Sequence, residues 1–235
     1  MNKTTHLADS LEQVRDRIFR VCESADRDPG EITIMAVTKT VGPDDIQEAV
    51  ERGLRVFGEN RVQEALEKIP RCPGNIEWHF IGHLQSNKVR AAVARFEMIH
   101  SIDSWKLLEA VNAAAQEHGR SMPVCLQVNV AGESSKHGYA PDDLSATLDR
   151  IGELGYVDVV GLMTIPPFTP DPSDARPHFK RLCALRESAR HDYGLSLDVI
   201  SMGMSHDFEI AIEEGSTCIR LGATLFGERK RVHRG

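Results

Sequence analysis

The 235-residue chain contains no Cys-x-x-Cys pair, no apolar run long enough to cross a membrane, and no G-x-G-x-x-G after an early strand. Each absence removes a class of function. Five scattered cysteines, Cys22, Cys72, Cys125, Cys183 and Cys218, cannot all pair within one chain, a pattern that suits a reducing compartment. The opening residues MNKTTHLADSLEQVRDR lack the apolar core of a secretion signal, so the expected location is the cytoplasm, with no membrane partner. Without the glycine fingerprint, dinucleotide binding loses its main support. Positive charge is also in deficit. Lysine and arginine number 28 against 35 acidic residues, for a formal charge of −7, which repels a phosphate backbone and argues against nucleic acid as a partner. The basic run Arg229-Lys230-Arg231 is too short to reverse that and reads as a solvated tail.

What is present is ordinary for a globular protein: 41% hydrophobic and 27% charged residues, in a length that fits one domain over residues 1–235. Leu7, Leu11, Val14, Ile18 and Val21 recur at helical spacing and predict an N-terminal helix over 6–24. After it, short β-branched runs alternate with amphipathic segments. The expected strands are 32–38, 55–57, 76–81, 98–102, 124–130, 157–162, 197–200 and 217–221, each followed by a helix or helical turn. Eight such units imply parallel strands with right-handed crossovers. The expected fold is α/β, a single (β/α)8 TIM-type barrel with an extra N-terminal helix; an open doubly wound sheet is the alternative.

In such barrels the chemistry sits at the carboxyl ends of the strands. Lys39 closes the run ITIMAVTK, where it either reaches into water or is held against apolar walls that free its amine as a nucleophile. After the seventh run comes Ser201-Met202-Gly203-Met204-Ser205, and after the eighth Arg220-Leu221-Gly222-Ala223-Thr224. Both put a glycine and a hydroxyl just before a helical segment, where backbone N–H groups can meet an anion; each alone is equally an ordinary capped turn. Arg220 should point into the barrel mouth, toward a ring nitrogen or a phosphate, or else pair with Glu209 or Glu213. Gly58-Glu59-Asn60, His79 to Lys88 and Asn129 to Gly138 also crowd the strand ends, with Glu133 and Lys136 either a loop ion pair or a mouth contact. His79 and His83 lack an evident third and fourth ligand, so no metal is expected.

Seven ordered segments carry a resemblance: AVTKT around Lys39, FGENRVQEA, HFIGHLQSNK, NVAGESSKHG, GLMTIPP, SMGMSHD and RLGATLFGER. Through them the chain closely resembles the pyridoxal phosphate homeostasis proteins, which share the barrel of the alanine racemase N-terminal domain. The resemblance implies pyridoxal 5′-phosphate (PLP) as cofactor, held as a Schiff base on Lys39. It further implies that Ser205, Gly222 and Ala223 hold the phosphate, that Arg220 faces the pyridine nitrogen, and that Asn60, Met202 and Gly203 line the ring. At Ala223-Thr224 such proteins often place threonine first, so the backbone donor carries over more securely than a hydroxyl.

The implied function is intracellular PLP homeostasis by a monomer without dedicated turnover, with PLP-requiring apo-enzymes as candidate recipients. A PLP-dependent amino-acid racemase is the alternative, using Lys39 and a loop residue such as His83 or Lys136. Alanine racemase takes its second base from a further β domain, whereas this sequence ends at Gly235. From the residues alone, a barrel aldolase with Lys39 as its amine is a third reading.

Overall fold

The computed structural model describes residues 3–133 and 137–227; Lys136 and the basic tail from Arg229 lie outside them. Eight strands form a closed barrel in chain order: β1 Thr33–Val37, β2 Val56–Glu59, β3 Glu77–Phe80, β4 Met98–Ile102, β5 Met122–Gln127, β6 Val157–Met163, β7 Val199–Met204 and β8 Cys218–Leu221. Each pairs in parallel with the next, and β8 returns to β1 through Thr33↔Cys218 to Ala36↔Leu221. Closure satisfies the backbone groups an open edge would expose. The barrel expectation therefore holds, and the open sheet does not.

Helix α1 (Lys3–Ser24) precedes the barrel, and α2 (Pro43–Glu51), α3 (Val62–Lys68), α4 (Val89–Val93), α5 (Trp105–Glu117), α6 (Leu144–Leu148), α7 (Arg176–Tyr193), α8 (Phe208–Glu213) and α9 (Ala223–Phe226) follow successive strands. The apolar stripe of α1 buries Leu7, Leu11, Val14, Ile18 and Cys22, whereas Val21 is only half-buried. Arg17 locks α1 to α8 by donating twice to Glu209, at 3.0 and 2.6 Å, while its guanidinium lies 4.4 Å above the Phe208 ring centroid. Arg27 reaches the carbonyls of Ile212 and Ser216 at the end of the same helix.

Alternation along the strands separates two apolar layers. Ala36, Phe57, Trp78, Phe80, Ile99, Leu126, Leu162, Ile200 and Ile219 face outward into the main core under the helices. Met35, Val37, Ile81 and Cys218 form one cluster within the barrel, and Met98, Cys125 and Met163 another. Between them the interior is polar, holding His79, His100, Ser201 and Arg220.

Two sequence boundaries shift for physical reasons. Strand β5 starts at Met122 and stops at Gln127, because Asn129 N–H turns away to the Tyr139 carbonyl. Strand β7 runs to Met204, so Ser201 to Met204, expected as a loop, are strand residues carrying a register shift. Gly203 has φ +91°, and a Cβ there would stand 2.6 Å from the Ala211 Cβ. Glycine at this position lets α8 approach the strand, which is a packing role rather than an approach to an anion.

Candidate functional site

Lys39 is exposed and lies two residues beyond Val37 on the inward-facing row of β1. The last registered pair on β1 and β2 is Val37↔Gly58, so Lys39, in the turn after β1, and Asn60, just after β2, leave adjacent strands at the same end of the barrel. Asn60 carries the clearest sign of a ligand position. Its side-chain oxygen is buried and has no hydrogen-bond partner among the described residues, an arrangement that costs free energy unless something else supplies a donor.

A network that sequence reasoning missed braces the backbone on both sides of Lys39. Buried Thr38 donates its hydroxyl to Glu59 Oε1 at 2.7 Å. Lys68, on α3, donates to that same oxygen at 2.7 Å, to the Thr38 carbonyl at 2.7 Å and to Glu64 at 2.9 Å. Glu64 in turn accepts the Thr40 N–H at 2.6 Å, holding Thr40 at φ +64°. Burial pushes the Glu59 carboxyl up, opposed by its bonds to Lys68 and Thr38. Glu64 also feels burial, but the Thr40 amide and Lys68 together bring it below its ordinary value. The only clue in the sequence was helical spacing, since Glu64 and Lys68 are four apart on one face of α3.

Beneath the mouth, Arg220 is buried and donates to Ser201 Oγ at 2.8 Å and to the Thr164 carbonyl at 2.9 Å. Neither acidic partner considered for it is engaged: Glu209 is bound by Arg17 and Glu213 by Arg176. Burial lowers the guanidinium from its ordinary value, partly offset by Cys218 and Asp207, and an arginine so placed stays charged. The residues expected to hold the phosphate also come together. Ser205 Oγ accepts the Thr224 N–H at 3.2 Å, joining the segment after β7 to the first turn of α9, where Gly222 is half-buried and Ala223 exposed. Asp207, unremarked in the sequence, ties that segment down by accepting the Met204 N–H at 2.6 Å. Met202 is brought to this end of the barrel but not into its mouth, because its side chain is fully buried in the main core.

His79 and His83, grouped together by sequence, part company. His79 faces the interior and its Nδ1 lies 3.0 Å from His100 Nε2, whereas half-exposed His83 lies 3.3 Å from Asp103 at the mouth. Burial pushes His79 down to about 4, and burial, His79 and Arg220 push His100 well below 6.5. The pair is therefore neutral in the folded chain and protonates on unfolding. Below pH 6.5 the unfolded chain binds more protons, so stability present above 6.5 is lost as pH falls toward about 4. His79 alone should remove roughly 3 kcal/mol over that window. Urea unfolding across it should show this loss, and His79→Gln/His100→Gln a shallower one; equal slopes would reject it.

His79 and His100 also line a cavity of about 200 Å³ with Glu31, Thr33, Asp198, Thr217 and Cys218. It opens at the amino ends of the strands, so it is not part of the Lys39 mouth. Gly82 belongs to the mouth itself. A Cβ there would overlap the Asn60 carbonyl, and Ser101 Oγ donates to the Gly82 carbonyl at 2.5 Å. Gly82→Ala should cost about 2 kcal/mol or more by overpacking and displace Asn60, read as a lower urea midpoint together with weaker ligand binding.

The profile of the alanine racemase N-terminal domain family matches residues 10–230. A pyridoxal phosphate homeostasis protein of Aquifex aeolicus is 44% identical over 221 residues, spanning 94% of this chain and 97% of its own. This chain belongs to the pyridoxal phosphate homeostasis protein family. The human family member is 40% identical over 94% of this chain and 86% of its own. PipY of Synechococcus elongatus, solved without PLP, superimposes with a TM-score of 0.82 at 38% identity, covering 89% of this chain and 99% of PipY. The same protein solved with PLP bound gives a TM-score of 0.79 over 90% and 100%. Alanine racemase of Clostridium difficile shares the fold, with a TM-score of 0.71 at 14% identity over 97% of this chain and 58% of the enzyme.

Proposed function

We propose that this chain binds PLP at the carboxyl end of the barrel and serves in intracellular PLP homeostasis. What supports the reading is that Lys39, the unpartnered Asn60 oxygen and the joined Ser205–Thr224 loops all follow the carboxyl ends of strands, with buried Arg220 on β8 beneath them. The residues fit the group. Lys39 Nζ would hold the aldehyde carbon as a Schiff base, and Asn60 would lie beside the ring. The inward face of β8 carries Arg220, a fixed donor suited to the pyridine nitrogen. Ser205 and the amides of Gly222 and Ala223 would take the phosphate, with Met202 and Gly203 contributing main chain only. When bound, PLP supplies a reactive aldehyde on an electron-withdrawing ring.

The remaining residues favour holding over turnover. An arginine at the ring nitrogen keeps that atom unprotonated and makes the ring a weaker electron sink than a carboxylate would. Inside the barrel His79 and His100 are bonded to one another and held neutral, and they line the cavity at the amino ends rather than the mouth. The chain thus acts as a carrier, keeping a reactive aldehyde sequestered in the cytoplasm and releasing it to PLP-requiring apo-enzymes. Titrating the full chain with PLP should produce a visible absorbance band, and borohydride reduction followed by peptide mass mapping should place the label on Lys39. A label on any other lysine, or none, would refute the assignment. Single amino-acid enantiomers incubated with the loaded protein should keep their optical purity; sustained inversion would make it a racemase.

A further inference from the structure

Three loops at the mouth bring together side chains that the cofactor reading does not use. His83 follows β3, Asp103 follows β4, and His137 lies after β5 in the segment returning to Tyr139. His83 Nδ1 is 3.3 Å and His137 Nδ1 3.7 Å from the same oxygen, Asp103 Oδ2. The imidazole rings stack face to face, with centroids 3.8 Å apart and planes 14° apart. One ligand atom from each of the three residues falls within 4.8 Å of the other two.

We propose that His83, Asp103 and His137 form a binding site for a divalent first-row transition metal of the zinc class. Bonds of about 2.1 Å in a tetrahedral site put neighbouring ligand atoms about 3.4 Å apart. The separations of 3.3 and 3.7 Å already match that requirement. Only the two imidazole nitrogens need to adjust, a matter of side-chain rotation in half-exposed residues. Two imidazoles with one carboxylate favour zinc, cobalt or nickel over magnesium or calcium, which prefer all-oxygen shells. Three protein ligands leave one position open to water or to a ligand.

The anchoring is asymmetric in a way that suits a metal. Asp103 is mostly buried, with its side chain 13% exposed, and is followed by Ser104, which caps α5 by accepting the Leu107 N–H. His83 follows Gly82, which packs on the Asn60 backbone, and Gln127 Nε2 donates to the His137 carbonyl at 3.0 Å. An ion at this point ties the loops after β3, β4 and β5 to one another. Through Gly82 it also steadies Asn60. Sequence reading found no third ligand because Asp103 and His137 are 20 and 54 positions from His83, and only the side-by-side pairing of β3, β4 and β5 brings their carboxyl-end loops together.

The test is titration of the untagged full chain with Co²⁺, followed by its visible d–d absorption, and with Zn²⁺ by calorimetry. It should be run with and without PLP, since free PLP itself binds metals. The expected result is saturable uptake of one ion per chain with Kd on the order of micromolar or tighter. His83→Ala and His137→Ala should each abolish it. Asp103→Asn should weaken it strongly, while His191→Ala, which removes an exposed histidine lying 2.8 Å from Asp192, should leave it unchanged. Uptake only at millimolar metal, or uptake that survives both His83→Ala and His137→Ala, would overturn the proposal. Circular dichroism of each variant separates loss of the site from loss of the fold.

Discussion

Lys39→Ala should lose the visible PLP band and all borohydride-trapped label while keeping the wild-type fold. The expectation rests on where Lys39 sits. Its side chain is exposed at the barrel mouth, so truncation leaves no buried cavity and unpairs no buried charge. Stability should change by no more than about 0.5 kcal/mol, as for an ordinary surface substitution. Residual PLP binding should persist through the phosphate and ring contacts, detectable by calorimetry but spectroscopically silent in the visible. A band retained in this variant would mean that another amine holds the cofactor. A large loss of stability would mean that Lys39 belongs to the packed structure.

Lys68→Met should be far more damaging to the fold. Lys68 is the only cation among the described contacts of Glu59, a fully buried carboxylate. Removing one member of such a pair strands the other, at a cost of about 3–5 kcal/mol. The pH dependence identifies the cause. With Lys68 gone, burial and the Glu64 charge act on Glu59 against the Thr38 hydroxyl alone and lift it further above its ordinary value of 4.5. The folded variant then binds more protons than the unfolded one above pH 4.5, so its stability falls as pH rises through that window. Urea unfolding of Lys68→Met near pH 5 and near pH 8 should show the larger deficit at the higher pH, and adding Glu59→Gln should recover part of it. A deficit independent of pH would assign the loss to packing by the lysine stem instead. Because Lys68 also holds the Thr38 carbonyl and Glu64, the variant should bind PLP more weakly even where it is folded.

These two residues mark the division between what could be read in advance and what could not. The eight β/α units were legible because local periodicity encodes them: β-branched runs such as 32–38 and 98–102, separated by stripes such as that of α1. Lys39, Arg220 and Ser205 could be proposed as site residues from sequence because each ends a strand or follows one, where barrel chemistry is found. The bulged end of β7 was misread as a loop. Its glycine signals a turn in sequence but serves in three dimensions to admit α8.

The linear order of the chain determined the barrel class, and it placed the lysine, arginine and serine proposed for the site at the carboxyl ends of the strands. These follow from local pattern and from the fixed alternation of inward and outward positions along a strand. Which side chains meet around that end was decided only by the tertiary packing of successive β/α units. Lys68 with Glu59, His79 with His100, and His83 with Asp103 and His137 meet because neighbouring strands stand side by side, whatever their separation in sequence. Burial then sets their charge states, holding the imidazoles of His79 and His100 neutral and making the Glu59 carboxylate depend on a lysine.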